Sequence, residues 1–448
     1  MEVSKVTKEE LIEKAKKPAQ DAMKMHPFYK GKIEIVPKCV IRDIKDFAIW
    51  YTPGVAEPCM DIYRDPEKVF QHTNKANMVG IVTDGTRVLG LGDIGPMAAL
   101  PVMEGKALLF KYLGGVDAFP ICLDTKDPDE IIRTVKIISP TFGGINLEDI
   151  ANPKCFYILD RLRAEASIPV WHDDQQGTAA VTLAGLINAL KVVKKRIEDV
   201  KITMIGIGSA NVCITKMIIK AGADPKKFLV VDSKGILSRK RDDIKSTHKE
   251  KLEFCQITNA ANRDGDTEEA IKGQDVVIAL SKPGPDTIKK EWISQMADDG
   301  IVFVCANPIP EIWPWEAKEA GARVVATGRS DFPNQVNNSV GFPAIFRGTL
   351  DVMARTITDE MCIAAAYELA KCAEDKGLRE DYLLPTMDEW EIFPREAVAV
   401  AKKAMEQGVA RLKFTEKELF QMAETKIKRA RDEVGLLMDK GIIEAYVE

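Results

Sequence analysis

The sequence predicts an α/β protein built from an N-terminal α/β domain, a doubly wound sheet domain and a helical C-terminal segment. Three observations carry that expectation. Short apolar runs of strand length alternate with helical stretches from about residue 78 to about residue 326, the pattern of parallel sheets covered by helices. A strand, a glycine turn and a helix follow one another between residues 201 and 221. At 448 residues the chain also exceeds what one ordinary hydrophobic core serves. The boundaries expected are 1–160, 161–375 and 376–448.

The opening segment reads as a helix, since Thr7 and Glu10 have capping-box spacing with Leu11, Ile12 and Ala15 behind them. Residues 78–82 and 119–123 read as buried strands, with helical composition between them at 101–112 and a further helix at 130–138. Residues 168–172 suit another strand. Residues 178–193 are apolar almost all round, as a helix buried between layers would be. Strands are then expected at 201–205, 228–231, 275–280, 301–305 and 324–326. Beyond Ile357 the pattern is helical: Thr358 caps a helix ending near Gly377, and Thr415 with Glu418 repeats the capping-box spacing before a long charged helix.

A net charge of −5 argues against a nucleic-acid or membrane-surface partner, each of which favours a cationic face. The short basic clusters at 194–196 and 239–241 sit among carboxylates and read as solvated faces. Nine scattered cysteines without a CxxC pair suit reduced thiols and a cytoplasmic location. No run reads as long and apolar enough to span a bilayer.

Residues Gly206-Ile207-Gly208-Ser209-Ala210-Asn211 give the first two glycines of a Rossmann-type dinucleotide turn, with Asn211 where a third small residue would stand. The glycines permit the tight turn and let the amides of Ser209, Ala210 and Asn211 approach a pyrophosphate at a helix N-terminus. Asp232 ends the next strand at a distance suited to the adenosine ribose, favouring NAD, while Ser233, Lys234 and the Arg239–Arg241 run would suit NADP. The choice between NAD and NADP stays open.

Polar chemistry concentrates in YTPGVA at 51–56, DGTR at 84–87, GLGD at 90–93, PVMEGK at 101–106, and the acidic pairs Glu148-Asp149 and Asp173-Asp174. Either acidic pair alone is also what a helix N-terminus carries. Together with NLEDI, HDDQQGTAAV and NQVNNSVGFP, these motifs resemble the malic enzymes in their short microbial form, from about residue 50 to about residue 350. The resemblance implies oxidative decarboxylation of malate to pyruvate and CO₂ with NAD or NADP, and with Mg²⁺ or Mn²⁺ held by Glu148, Asp149 and Asp174. It implies Lys106 as general base, kept neutral by burial and the cation, with Asp173 orienting it and relaying its proton. It implies Tyr51 as general acid and Asn307 and Asn338 near nicotinamide and substrate. Arg87 is the natural fork for a substrate carboxylate. His172 reads as structural.

The same resemblance implies a homodimer or larger homo-oligomer. It makes residues 1–160 the substrate and metal domain, with the substrate in a cleft between the domains. Two rival readings are a malolactic-type enzyme that retains NAD and releases lactate, and a non-catalytic nucleotide-sensing protein.

Overall fold

The computed structural model describes residues 8–246, 249–329 and 331–447. A helix spans Lys8–Tyr29; the expected cap at Thr7 lies outside the described residues.

The first sheet has four parallel strands, β1 (Met78–Thr83), β2 (Asp117–Cys122), β3 (Gly144–Leu147) and β4 (Val170–His172), in the order β2-β1-β3-β4. Five of the six residues of β1 and all of β3 and β4 are buried, because the connecting helices cover both faces of a parallel sheet. β4 pairs with β3 from beyond residue 160, so this sheet continues past that point in the chain.

The second sheet contains β5 (Ile202–Ile205), β6 (Phe228–Asp232), β7 (Gly235–Ile236), β8 (Val276–Ala279), β9 (Ile301–Val304) and β10 (Val324–Thr327), in the order β10-β9-β8-β5-β6-β7. All pairings are parallel except the β6–β7 hairpin. The strand order reverses between β5 and β8. A doubly wound sheet binds its ligand in the crevice outside the strand ends at that reversal.

The helix Thr178–Val193 runs on from a π-helical turn at Asp173–Gly177. The 21 residues Asp173–Val193, with mean hydropathy 1.3, are long and apolar enough by composition to cross a membrane, which corrects the expectation that no run is. Yet 83% of its apolar window is buried inside the protein, so its composition serves the core. One continuous cluster of buried side chains joins this helix, both sheets and the C-terminal helices.

Those C-terminal helices are Phe342–Asp351, Asp359–Lys376, Ile392–Glu406 and Glu416–Asp439. Thr358 accepts from the Met361 amide (3.1 Å) and Thr415 from the Glu418 amide (3.3 Å), the caps expected from sequence. The segment folds back on the first domain. Phe110 meets Phe342 and Phe346 edge-on at 4.7 and 5.2 Å, and Lys111 pairs with Glu433 at 3.3 Å. Buried Arg347 pairs with Asp351 at 2.8 Å and donates to Asn77 Oδ1 at 2.5 Å, tying this helix to the residue before β1.

The helices Phe342–Asp351 and Ile392–Glu406 approach so closely that a Cβ on Gly348 would lie 2.2 Å from the Ala397 carbonyl oxygen. Gly348→Ala should therefore destabilise the protein by about 1–3 kcal/mol through overpacking. Urea unfolding followed by circular dichroism checks this, and an unchanged midpoint would mean that the two helices separate freely.

Candidate active site

The C-terminal ends of β1, β3 and β4 lie along one edge of the first sheet, which gathers the residues that follow them. Asp84 follows β1, Glu148 and Asp149 follow β3, and Asp173 and Asp174 follow β4. Asp149 has φ 54°, a left-handed conformation that aspartate tolerates better than most residues. Its carbonyl accepts from the Arg87 amide at 2.9 Å, and its own amide donates to Asp174 Oδ2 at 2.8 Å. The two acidic pairs are thus linked through the backbone. Asp173 and Asp174 both begin a helical turn, as the helix-terminus reading expects, and also face the cluster, whereas no helix begins at Glu148 and Asp149.

Lys106 projects from the helix Pro96–Gly114 into this edge and is almost fully buried. Its ammonium donates to Asp173 Oδ2, lies 3.1 Å from Glu148 Oε1, and sits 4.2 Å from the centroid of Phe342. Asn338 Nδ2 donates to the same Asp173 oxygen at 2.5 Å. Gly177 makes room for this arrangement, since a Cβ there would lie 1.8 Å from Asp173 Oδ1. Asn146 Nδ2 donates to Glu148 Oε2 at 2.8 Å.

Burial is the first cause raising Glu148, Asp149, Asp173 and Asp174 above the usual carboxylate range, with Asp149 pushed up to about 7. Neighbouring carboxylates add to it for Glu148, Asp149 and Asp173. For Lys106, burial pulls the other way from Asp173 and Glu148, and the carboxylates win: the ammonium is held protonated. Burial alone therefore does not make Lys106 neutral; the charge of a cation on the neighbouring carboxylates is the other half of that expectation. Burial lowers His172 to about 4, so its imidazole is neutral. It lies inside the sheet with no hydrogen bond from either ring nitrogen among the described residues.

Glu148, Asp149 and Asp174 each offer an oxygen within 4.8 Å of the others. Asp149 Oδ2 is buried without a hydrogen-bond partner. Oxygen donors, excess negative charge and an unpartnered buried carboxylate oxygen fit a hard divalent cation.

Across the cleft, Gly206 (φ 101°) ends β5, and a Cβ there would lie 2.6 Å from the Leu280 carbonyl oxygen. Gly208 precedes the helix Ser209–Lys220 and faces open space, with only Asn152 Nδ2 at 3.9 Å from a Cβ position. The first-turn amides of Ser209, Ala210 and Asn211 therefore stand at a helix N-terminus beside an unobstructed glycine. The Asn211 side chain is buried and donates to the carbonyls of Ile205 (2.7 Å) and Gly206 (3.1 Å). Its side chain holds the turn, and only its amide is left for a ligand.

Asp232 ends β6 in a salt-bridge network. Arg241 grips both its oxygens at 2.8 and 3.0 Å, Lys251 lies at 2.8 Å, and the Lys234 amide donates at 2.9 Å. Burial would push its pKa up, but Arg241 and Lys251 outweigh it and hold Asp232 down at about 2. Arg241 is shared with Asp243 (2.9 Å), which also pairs with Lys234 at 3.0 Å, so Asp232 is one of two carboxylates among three cations and its repulsion of a 2′-phosphate is offset.

Asn307 follows β9 and its carbonyl abuts the Gly90 turn of the first domain: a Cβ on Gly90 would lie 2.3 Å from that oxygen. Exposed Arg87, near enough to lower Asp174, belongs to the same 85–95 loop. The structure thus gathers Arg87, Lys106, Glu148, Asp149, Asp173, Asp174 and Asn338 at one edge and brings Asn307 to it across the cleft. Tyr51 stands apart. It is 72% exposed, and its hydroxyl makes no hydrogen bond among the described residues. Asp84 and Asn146 fall within the DGTR and NLEDI motifs but take no role from sequence, and no local pattern marks half-buried Lys154, which pairs with buried Asp84.

A Rossmann-type sheet facing a buried acidic edge defines a two-domain dinucleotide-binding protein with a cation-ready second half. Family comparison agrees. Residues 30–163 match the malic enzyme N-terminal domain and residues 175–405 the malic enzyme NAD-binding domain. The chain belongs to the malic enzyme family.

It is 50% identical over 404 residues to the bifunctional malic/malolactic enzyme of Bacillus subtilis (strain 168), covering 89% of this chain and 96% of that one. It is 51% identical over 381 residues to the NAD-dependent malic enzyme of Geobacillus stearothermophilus, covering 85% and 78%. The NADP-dependent malic enzyme of Escherichia coli (strain K12) is 40% identical over 407 residues, 87% of this chain and 53% of that longer one. Among solved structures, the malic enzyme of Entamoeba histolytica superposes with TM-score 0.96 at 51% identity, covering 99% and 93%. That of Pyrococcus horikoshii Ot3 gives 0.89 at 48%, covering 94% and 99%.

Proposed function

We propose that the protein oxidises malate and decarboxylates it to pyruvate and CO₂, reducing NAD or NADP, with Mg²⁺ or Mn²⁺ held by Glu148, Asp149 and Asp174. One observation carries this reading: Lys106, Asp173 and Asn338 are hydrogen-bonded beside a three-carboxylate cluster that faces the dinucleotide edge. Bound there, the cation would polarise the C2 oxygen and steady the charge left when CO₂ departs. Arg87 would hold a malate carboxylate in a bidentate grip. Lys106 takes the C2 hydroxyl proton. To do so it must be neutral: a cation on the carboxylates would weaken their hold on its proton, and Asp173, hydrogen-bonded to Lys106, is placed to relay that proton away. Asn307 would stand beside the nicotinamide, which when bound would supply the hydride acceptor for C2; Tyr51 protonates C3 once the C3–carboxylate bond has broken.

The name of the Bacillus subtilis relative supports a second reading, in which reduced cofactor is retained and the product is lactate. Analysis of the product after one turnover separates the two. Nine free cysteines suit a reducing cytoplasm.

For assembly we propose a homodimer. Ile44 (82% exposed), Tyr51 (72%), Tyr63 (81%) and Met97 (88%) are large apolar side chains left to solvent in one chain, and such surface is commonly covered by a partner. A second copy covering it would bring Tyr51 against a carboxylate edge, its own or its partner's.

Malate with Mn²⁺ should yield both pyruvate and reduced cofactor. Asp174→Asn should abolish turnover while dinucleotide affinity, measured by titration calorimetry, stays near that of wild type. Normal turnover by the variant at ordinary Mn²⁺ would remove Asp174 from the metal site.

Lys251→Ala tests the charge around Asp232. Losing one charged contact should raise KM for NADP by about tenfold or more, with KM for NAD changed much less. Equal changes for both nucleotides would show that Lys251 does not face the 2′ position.

Tyr51→Phe and Lys106→Ala should each lower turnover by about 10²–10⁴-fold. Co-expressing the two variants distinguishes the sources of Tyr51. Recovered activity means that it serves the partner's site; none, in a sample verified to contain the mixed dimer, means that it serves its own.

A further inference from the structure

Glu311 belongs to none of the motifs above, yet it is fully buried at the centre of the dinucleotide edge. Its Oε1 accepts from the amide of Ser281 at 2.7 Å and from the Ser281 hydroxyl at 3.2 Å. Its Oε2 accepts from the amide of Ala306 at 3.2 Å. Its own carbonyl accepts from the Ile288 amide at 3.0 Å. Ser281 lies just beyond β8 and Ala306 just beyond β9, so one side chain joins the loops leaving two adjacent parallel strands. β8 borders the reversal in strand order where a dinucleotide binds.

The chemistry of the contact is selective. Donors approach both oxygens, so both must accept, which a carboxylate does and a carboxamide does not. No lysine or arginine pairs with Glu311 among the described residues. Burying an acid without a cation is costly, and closing a loop would not by itself require one. Burial pushes its pKa up, and the hydrogen bonds from Ser281 and Ala306 to the carboxylate, with its own amide, oppose that shift.

The loop so clamped is wedged on its far side. The Asn307 carbonyl fills the space at Gly90, and the Asn307 amide nitrogen would meet a Cβ on Gly328 at 3.0 Å. Arg329 donates to the Pro308 carbonyl at 2.5 Å. With Ala306 fixed from behind and Asn307 hemmed by two glycines, the direction in which Asn307 faces the cleft is set.

We propose that Glu311 is a positioning residue of the dinucleotide site: it holds the β8 and β9 loops together and, through Ala306, aims Asn307 at the bound nicotinamide. The inference rests on the proposed reading of Asn307 as a residue that meets nicotinamide and substrate.

Glu311→Gln in the full chain is the test, because it keeps shape while turning one acceptor into a donor against an amide. Dissociation constants for NAD and NADP, measured by calorimetry without malate, should rise about ten- to a hundredfold. The thermal midpoint should fall by only a few degrees. Aspartate at 311, too short to span both loops, should not rescue. In an Asn307→Ala background, Glu311→Gln should add little further loss in dinucleotide affinity or in kcat, since coupled residues are not additive. Unchanged dissociation constants, or losses that simply multiply in the double variant, would overturn the proposal. If Glu311→Gln does not fold, Ser281→Ala removes one donor and should still weaken dinucleotide binding severalfold; wild-type affinity there overturns it equally. If wild type binds dinucleotide but leaves malate unchanged, the proposed reaction fails while the affinity measurements still decide the role of Glu311.

Discussion

Four carboxylates and one ammonium are held together at a largely buried edge, with Asp174 partly exposed on its rim, and most of the first domain is arranged around that fact. Like charges at this distance repel strongly when solvent is excluded, so no flexible loop could keep them in register. A parallel sheet can, because it aims the ends of three strands at one edge. Asn146 steadies Glu148, the Asp149 amide steadies Asp174, and Asn338 shares Asp173 with Lys106. Each neutral donor offsets part of the repulsion without adding charge. Burial first and the remaining repulsion second make the acids reluctant to ionise, while their charge keeps the lysine protonated, a resting state that a divalent cation would relieve.

The cofactor side follows a different electrostatic logic. Asp232 reads in sequence as a residue that selects for a free ribose hydroxyl. In the fold Arg241 and Lys251 already neutralise it, and Asp243 and Lys234 complete the network that sets the local field. Relatives named for NAD and for NADP both lie within 40–51% identity of this chain. Small changes in such a balanced network are a physically economical way to move between them.

Much of this was legible in the sequence where chemistry and local pattern coincide. The glycine turn at 206–208, the caps at Thr358 and Thr415, and the two acidic pairs are all short-range signals. Strand β3 was not read, because Gly144–Leu147 is too short and too close to the acidic pair to show a period. The motif slot of Asn211 points only to its amide; that its side chain holds the turn, through the carbonyls of Ile205 and Gly206, is a tertiary detail the slot does not show. The apolar run after Asp173 looked too short to span a bilayer until the π turn joined it to the helix. The protonation of Lys106, the exposure of Tyr51 and the burial of Glu311 depend on residues up to 67 positions away or on surface that only folding defines. Sequence distance conceals such relations.

Asp173 and Asp174 occupy the first turn of the apolar rod that ends at Val193. Unwinding that turn would drag the rod's buried surface toward water, so the acidic edge cannot fray by itself. Its amide protons are bound to the fate of the whole core and should exchange with solvent only in its rare openings. Gly92 and Gly95, each with positive φ and no atom within 4 Å of a Cβ position, lie in a loop outside that rod, held instead by backbone bonds such as those from the Arg87 amide to Asp149 and from the Gly95 amide to Gly85. One half of the cleft is thus built into a helix, and its rim is a loop fastened by individual hydrogen bonds.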